Sequence, residues 1–85
     1  MTLAERLLKS GYLGIPLGSK VNGVHTDDYV AQFRPDDEDN PLRITEKGYA
    51  ENEPIGRNGV FLSHESAVEL AKFLKRIFLD ESPGK

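Results

Sequence analysis

Residues 59–78, GVFLSHESAVELAKFLKRIF, decide the fold of this chain. The first four have the apolar composition of a short strand, and Ser63 follows where a helix N-cap is expected. From Ala67 onward apolar residues recur at intervals of three and four, which is the period of one helix face. Glu65 precedes several basic residues, an order that suits the helix dipole. The stretch therefore predicts a strand that leads into an amphipathic helix over residues 63–79.

Short antiparallel strands are predicted upstream of this helix. Asn22 and Gly23 stand between two valines, and this pair accepts the positive φ angles of a type I′ hairpin turn. Residues 28–34 and 42–45 have the alternation of short strands. In the first of them, one face carries Tyr29, Ala31 and Phe33, and the other carries Val30, Gln32 and Arg34.

A shorter helix is predicted at residues 3–10. Thr2 and Glu5 have the spacing of a capping box, in which each side chain accepts a hydrogen bond from the other residue's backbone N–H. Gly11 suits the left-handed position that ends a helix. The apolar stripe of this helix consists of Leu3, Leu7 and Leu8.

The 85 residues form one small domain, because two halves would each be too short to bury a core. We predict a sheet over residues 12–62, interrupted by an acidic loop at 35–41 and a long polar loop at 46–58, and a tail at 80–85. The predicted fold class is α+β: a short N-terminal helix, an antiparallel meander of about four short strands, and a C-terminal amphipathic helix packed on the sheet.

The aromatic residues predict where the core lies. Phe61 and Phe78 have the positions of core residues. Tyr29 and Phe33 are expected to be core, or half-buried if their face of the sheet is open. Tyr49 falls in the predicted long loop and is the aromatic residue that we expect to be most exposed.

Composition excludes several classes of protein. The absence of cysteine excludes disulfide scaffolds, thiolate zinc sites and cysteine nucleophiles. No apolar run approaches the ~18 residues of a membrane span, and the charged N-terminal segment is unlike an export signal. We therefore expect a cytoplasmic protein without a membrane partner. The net charge is −3, and residues 20–62 hold five basic and nine acidic residues, which disfavours polyanions.

Candidate catalytic and metal-binding residues are few. His25 and His64 are the only histidines. Ser63, His64 and Glu65 are consecutive, and neighbours on a helix point about 100° apart, which is poor geometry for a triad. A zinc site needs three or four convergent ligands, which two histidines and a carboxylate do not supply by spacing. We predict surface histidines, no catalytic residue, no metal and no cofactor.

The acidic run at residues 36–39 does not match a calcium loop. An EF-hand beginning at Asp36 requires glycine at its sixth position and glutamate at its twelfth, where the chain has Pro41 and Lys47. A solvated turn, an acidic contact for a basic protein surface and a looser calcium loop remain open. Residues 56–59, GRNG, have the GxxG spacing of a KH loop, but a strand follows, so we favour a tight turn.

Residues 44–74 resemble the C-terminal part of the transcriptional coactivator PC4-like family. The resemblance lies in PIGRNGVFLS at residues 54–63 and in the helix that follows. It implies a curved four-stranded sheet with a helix, dimerisation through that helix, and binding of single-stranded nucleic acid on the sheet. Arg57 corresponds to the basic residue of the family's turn. An N-terminal helix and an acidic middle segment depart from the family, so the resemblance supports the fold more than the ligand.

We predict a non-enzymatic regulatory or inhibitory module that docks on a partner protein, of a kind frequent among phage and mobile-element proteins. The alternative is a PC4-like transcriptional regulator that binds single-stranded nucleic acid. A homodimer through residues 67–78 is also predicted. The residues expected at the protein contact are Asp36, Asp37, Glu38, Asp39, Tyr49 and Arg57. The residues expected to contact nucleic acid are Arg34, Arg43, Lys47 and Arg57.

Overall fold

The computed structural model describes residues 2–50 and 53–79 and confirms the α+β fold. The predicted tail at 80–85 lies outside the described residues. The helices are α1, Leu3–Lys9, and α2, His64–Leu74, which continues into a π-helical turn, Lys75–Leu79. The strands are β1, Leu13–Leu17; β2, Lys20–Val21; β3, Val24–His25; β4, Tyr29–Phe33; β5, Leu42–Ala50; and β6, Glu53–Leu62.

Four strands form an antiparallel meander in the order β1-β4-β5-β6, and β2 and β3 form a separate two-stranded hairpin. Asn22 and Gly23 have φ angles of 49° and 82°, which confirms the predicted turn. The C-terminal helix follows β6 directly and packs against that strand, with Ala67 and Leu70 half-buried. The hydroxyl oxygen of Ser63 accepts a hydrogen bond from the backbone N–H of Ser66 and thus caps the helix.

Local chemistry fixes both ends of α1. Thr2 and Glu5 form the predicted capping box. At the other end Gly11 has a φ of 77°, and the N–H groups of Gly11 and Tyr12 donate to the carbonyl oxygens of Leu8 and Leu7, at 3.1 Å each. These two bonds form a Schellman motif, which returns the chain toward β1.

The long loop predicted at residues 46–58 is wrong, because β5 extends to Ala50 and β6 begins at Glu53. Glycine in this segment allows close strand pairing rather than a turn. A side chain on Gly48 would overlap the carbonyl oxygen of Glu53, and one on Gly56 would contact Glu46. Residues 56–59 accordingly lie inside a strand and not in a tight turn. The pairing of β5 with β6 shifts register after Thr45. The segment is polar and irregularly paired, and its composition therefore indicated a loop rather than two strands.

The core lies on the face of the sheet that α1 covers. Leu3, Leu7 and Val30 are buried together, and Tyr12 and Ile55 pack against them. Phe61 and Phe78, which were expected in the core, are instead 48% and 75% exposed. Tyr29 and Phe33 are 49% and 50% exposed, which is the half-buried alternative expected for an open face of the sheet. Leu8, predicted on the apolar stripe of α1, is also exposed. The sheet is therefore buried on the Val30 side, and the Tyr29 side has no cover within the described residues.

Candidate protein and nucleic-acid interfaces

The uncovered side of the sheet is apolar over all four strands. Cross-strand register groups Ile15, Ala31, Ile44 and Val60 in one row, and Leu13, Phe33, Leu42 and Leu62 in the next. Five of the large side chains on this side are about half-exposed: Leu13, Ile15, Tyr29, Phe33 and Val60. We call this surface the apolar face. Exposed apolar surface of this kind is a common feature of interaction sites in proteins.

The C-terminal helix presents a second apolar surface. No residue of α2 or of the π turn, all of which are described, is buried. Five large apolar side chains between Phe73 and Leu79 are 41–76% exposed and are here called the helix ridge: Phe73, Leu74, Ile77, Phe78 and Leu79. An amphipathic helix of this length is stable in a protein because its apolar stripe is packed. Within the described residues, the apolar side of this helix is therefore largely unpacked.

The dimensions of the molecule agree with an uncovered surface. A compact monomer of 9.5 kDa is expected to expose about 5,000 Å², whereas this chain exposes 6636 Å². The radius of gyration is 14.4 Å, against about 12 Å for a compact chain of this length.

The opposite side of the sheet carries cations beside aromatic rings. The guanidinium carbon of Arg43 lies 4.7 Å from the centre of the Phe61 ring. Nearer the end of the β5–β6 hairpin, Lys47 Nζ lies 5.7 Å from the centre of the Tyr49 ring. Tyr49 is 84% exposed, as expected, and Arg57 is exposed on β6. The side of the sheet that α1 partly covers thus carries the Arg43–Phe61 pair beside the buried core, whereas the Tyr29 side is apolar.

Two carboxylates of the acidic loop bind arginines of their own chain. Asp36 accepts two hydrogen bonds from Arg34, at 2.9 and 3.1 Å, and Asp37 accepts one from Arg43 at 2.8 Å. The hydrogen bond from Arg34 lowers the pKa of Asp36 and raises the pKa of Arg34. Arg34 and Arg43, two of the four cations predicted to contact nucleic acid, are therefore already paired with carboxylates. The acidic loop thus neutralises the positive charge at this end of the sheet.

Asp37 also organises the acidic loop itself. Its Oδ1 atom accepts hydrogen bonds from the backbone N–H groups of Asp39 and Asn40. The bond from Asn40, followed by the one from Arg43, holds the pKa of Asp37 below its usual range. Glu38 and Asp39 remain exposed. The loop is thus a folded turn in which half of the carboxylates serve the fold.

The predicted protein-contact residues do not form one patch. The acidic loop joins β4 to β5, whereas Tyr49 lies seven residues farther along β5, roughly 23 Å away at strand spacing. Arg57 lies on β6, within the irregular stretch between Ile55 and Gly59. The acidic-loop contact stays a prediction, and a single docking partner would have to span most of β5 to touch all six residues.

Neither histidine belongs to a cluster of candidate ligands. His25 and His64 are exposed, at the end of β3 and the start of α2. Within residues 2–50 and 53–79 no group of three or more histidine, aspartate or glutamate side chains is placed to hold a metal ion. Among the same residues, no helix is long and apolar enough to cross a membrane.

Comparisons with protein-family models, with curated proteins and with solved structures found no match to this chain. The resemblance to the PC4-like family therefore rests on residues 44–74 alone and stays a prediction.

Sequence reasoning did not find the apolar face, although its signal was present. Leu13, Ile15 and Leu17 alternate along β1, as Tyr29, Ala31 and Phe33 do along β4. Both sets were natural candidates for the core. Only the position of α1, over Val30, shows that the buried side is the other one.

Proposed function

We propose that this chain is a non-enzymatic regulatory module that docks on protein through its apolar face and helix ridge, and that the first occupant of this surface is a second copy of the chain. The observation that carries the proposal is the apolar face, which spans four strands and has no cover within the described residues. Burial of apolar surface is the main favourable term in association.

A second copy fits this surface for two reasons. In each chain the apolar face and the helix ridge are exposed within the described residues. A two-fold interface would cover these two surfaces of one chain and the same two surfaces of its partner at once. The apolar face also brings little charge to the contact. Glu46 lies on the strand face that also carries Ile44, and it accepts a hydrogen bond from Asn58 at 3.1 Å.

Sedimentation equilibrium tests the proposal. The wild-type chain is expected to have twice the mass of 9.5 kDa at micromolar concentration. The variants Phe33→Asp and Ile77→Asp place a charge in the apolar face and in the ridge, and each is expected to give monomer. Leu8→Asp is the matched control, because Leu8 is 81% exposed on α1 and away from both surfaces. A wild-type monomer up to millimolar concentration, or equal dissociation by all three variants, overturns the second copy as occupant.

A second candidate function is binding of single-stranded nucleic acid on the basic, aromatic side. Specific support comes from the Arg43–Phe61 and Lys47–Tyr49 pairs, because single-strand binders combine cations for the backbone with rings on which bases stack. This side is opposite the apolar face, so the two functions do not compete for surface.

Fluorescence anisotropy with labelled single-stranded DNA and RNA tests this candidate. Affinity is expected to fall steeply as salt rises. Phe61→Ala and Tyr49→Ala should each weaken binding by the stacking contribution of about 1–3 kcal/mol per base. Tyr29→Ala, on the apolar face, is the aromatic control and should leave the affinity unchanged. No binding at low salt removes this candidate.

A further inference from the structure

Two backbone hydrogen bonds between β4 and β5 show which groups of the sheet are paired. The N–H of Arg34 donates to the carbonyl oxygen of Pro41 at 2.7 Å. At the other end of the two strands, the N–H of Lys47 donates to the carbonyl oxygen of Asp28 at 2.9 Å. Hydrogen-bonded positions alternate along an antiparallel pair. Odd-numbered residues of β5 therefore bond to β4, and the even-numbered ones as far as residue 46 bond to β6.

The same alternation assigns the backbone groups of β6. Val60 lies opposite Ile44 in the register, so Val60 bonds to β5. Its neighbours Gly59 and Phe61 direct their N–H and C=O groups away from the sheet, and neither forms another backbone hydrogen bond within residues 2–50 and 53–79. Gly59 has no side chain, so its exposure is exposure of the backbone itself. The outer edge of β6 is therefore open at these two residues.

The opposite edge of the sheet, on β1, is protected. By the same alternation, the register of β1 with β4 turns Gly14 and Pro16 outward, and a proline has no N–H to offer to an added strand. Residues 58–62 of β6 contain neither proline nor lysine. The irregular stretch before Gly59 limits the regular part of this edge to about these five residues. An added strand is therefore expected at β6 and not at β1.

The side chains along the open edge define the chemistry of such a strand. Val60 is 54% exposed and belongs to the apolar face, so the residue opposite it should be apolar. Gly59 leaves a gap beside the Phe61 ring, which an aromatic side chain on the added strand would cover. Arg57 is exposed, and no carboxylate of the described residues forms an ion pair with it. An acidic residue near Arg57 would complete the match in charge.

We propose that the β6 edge binds an extended segment of a partner protein as an added antiparallel strand. Running antiparallel to β6, this segment has an apolar residue, then an aromatic residue and, two positions later, an acidic residue. The β6 strand of a second copy, paired about Val60, would bring Ser63 and not a carboxylate to Arg57, so a different protein fits the edge better. In strand addition the backbone supplies affinity and alternate side chains supply specificity. The contact does not require the second copy proposed above.

NMR titration with a synthetic peptide tests the proposal. The capped peptide STVYTES carries valine for the position opposite Val60, tyrosine opposite Gly59 and glutamate near Arg57. It is expected to shift the backbone amide signals of Gly59 and Phe61 and to slow the hydrogen exchange of these two amides. The amide of Gly14, on the protected edge, is the internal control and should not respond. Unchanged signals of Gly59 and Phe61 up to millimolar peptide overturn the proposal.

Two methylated peptides separate strand pairing from side-chain contact. The N–H of the peptide tyrosine faces β6, so its methylation should weaken binding about tenfold or more. The N–H of the peptide valine faces away from β6, and its methylation should have little effect. Equal effects of the two methyl groups would exclude an added strand in this register.

The charge match is tested with Arg57→Gln and its matched control Lys20→Gln. Both residues are exposed and each variant removes one positive charge, but Lys20 lies in the separate β2–β3 hairpin. Arg57→Gln should weaken peptide binding about twofold to fivefold, the range for an exposed ion pair, and only when the peptide carries glutamate rather than glutamine. Equal losses in the two variants would refute the acidic position.

Two results distinguish this proposal from the proposed dimer. Phe33→Asp, which is expected to be monomeric, should bind the peptide as tightly as the wild type does, so failure of the dimer leaves the edge proposal intact. Slow exchange of the Gly59 and Phe61 amides without peptide, lost on dilution, would instead assign the edge to β6 of a second copy and overturn the partner segment.

Discussion

Leu7→Ala is expected to be among the most costly single substitutions in this chain, although the residue lies on a helix of seven residues. Leu7 is 1% exposed and packs with Leu3 and Val30. Truncating a buried leucine removes its transfer free energy and leaves a cavity, which costs about 2–5 kcal/mol. A domain of 85 residues has a free energy of unfolding of roughly 4–13 kcal/mol. Over most of this range, the substitution is therefore expected to remove a third or more of the free energy of unfolding.

The neighbouring residue provides the control. Leu8 has the same side chain on the same helix but is 81% exposed, so Leu8→Ala should change the free energy of unfolding by less than about 0.5 kcal/mol. Urea denaturation followed by circular dichroism measures both variants, at one protein concentration because self-association adds stability. Equal costs for Leu7→Ala and Leu8→Ala would refute the assignment of the core to the α1 side of the sheet.

Three further predictions concern the acidic loop, the sheet and the helix cap. Asp36 and Asp37 have lowered pKa values in the fold, so their stabilisation is complete above the ordinary aspartate pKa of about 3.9 and is lost as the pH falls below it. Urea denaturation across pH should show that the Asp36→Asn/Asp37→Asn variant has a smaller free energy of unfolding than the wild type at neutral pH and loses less of it on acidification. The same pH dependence of this free energy in both proteins would contradict the prediction. Gly59→Ala should disrupt the β5–β6 pairing, because the added carbon overlaps the carbonyl oxygen of Ile44. Hydrogen exchange measures this: the backbone amides of β5 should exchange with solvent faster than they do in the wild type. Ser63→Ala should cost about 1 kcal/mol in thermal unfolding, since it removes the cap of α2; no change in melting temperature would argue against the cap.

The elements with complete local signals could be predicted from the sequence. The capping box at Thr2, the turn at Asn22-Gly23 and the cap at Ser63 each depend on residues within three or four positions, and the structure confirms all three. The strands at residues 46–58 could not be predicted in this way. Their glycines and polar residues resemble a loop, and only pairing across the hairpin makes them strands, which is a contact between segments and not a local property.

The side of the sheet that is buried could not be predicted either. Alternation along β4 separates Val30 and Gln32 from Tyr29 and Phe33, but it does not say which set faces inward. The larger aromatic residues favoured the second set. The structure buries the first set because the Schellman turn at Gly11 returns the chain so that α1 lies over Val30.

The burial of the smaller side chains bears on the proposed function. The domain covers Val30 with a seven-residue helix and leaves its broader apolar face open, so the proposed association would bury the larger of the two apolar surfaces. Cross-strand register places Arg43 and Phe61 beside Gln32, on the same side of the sheet as Val30. The two proposed functions would therefore use opposite sides of the sheet, and one packing arrangement decides which side is available to each. Loss of α1 packing in Leu7→Ala should therefore loosen the side of the sheet that carries Val30 before it affects the apolar face, because Leu7 packs with Val30 and not with the apolar face.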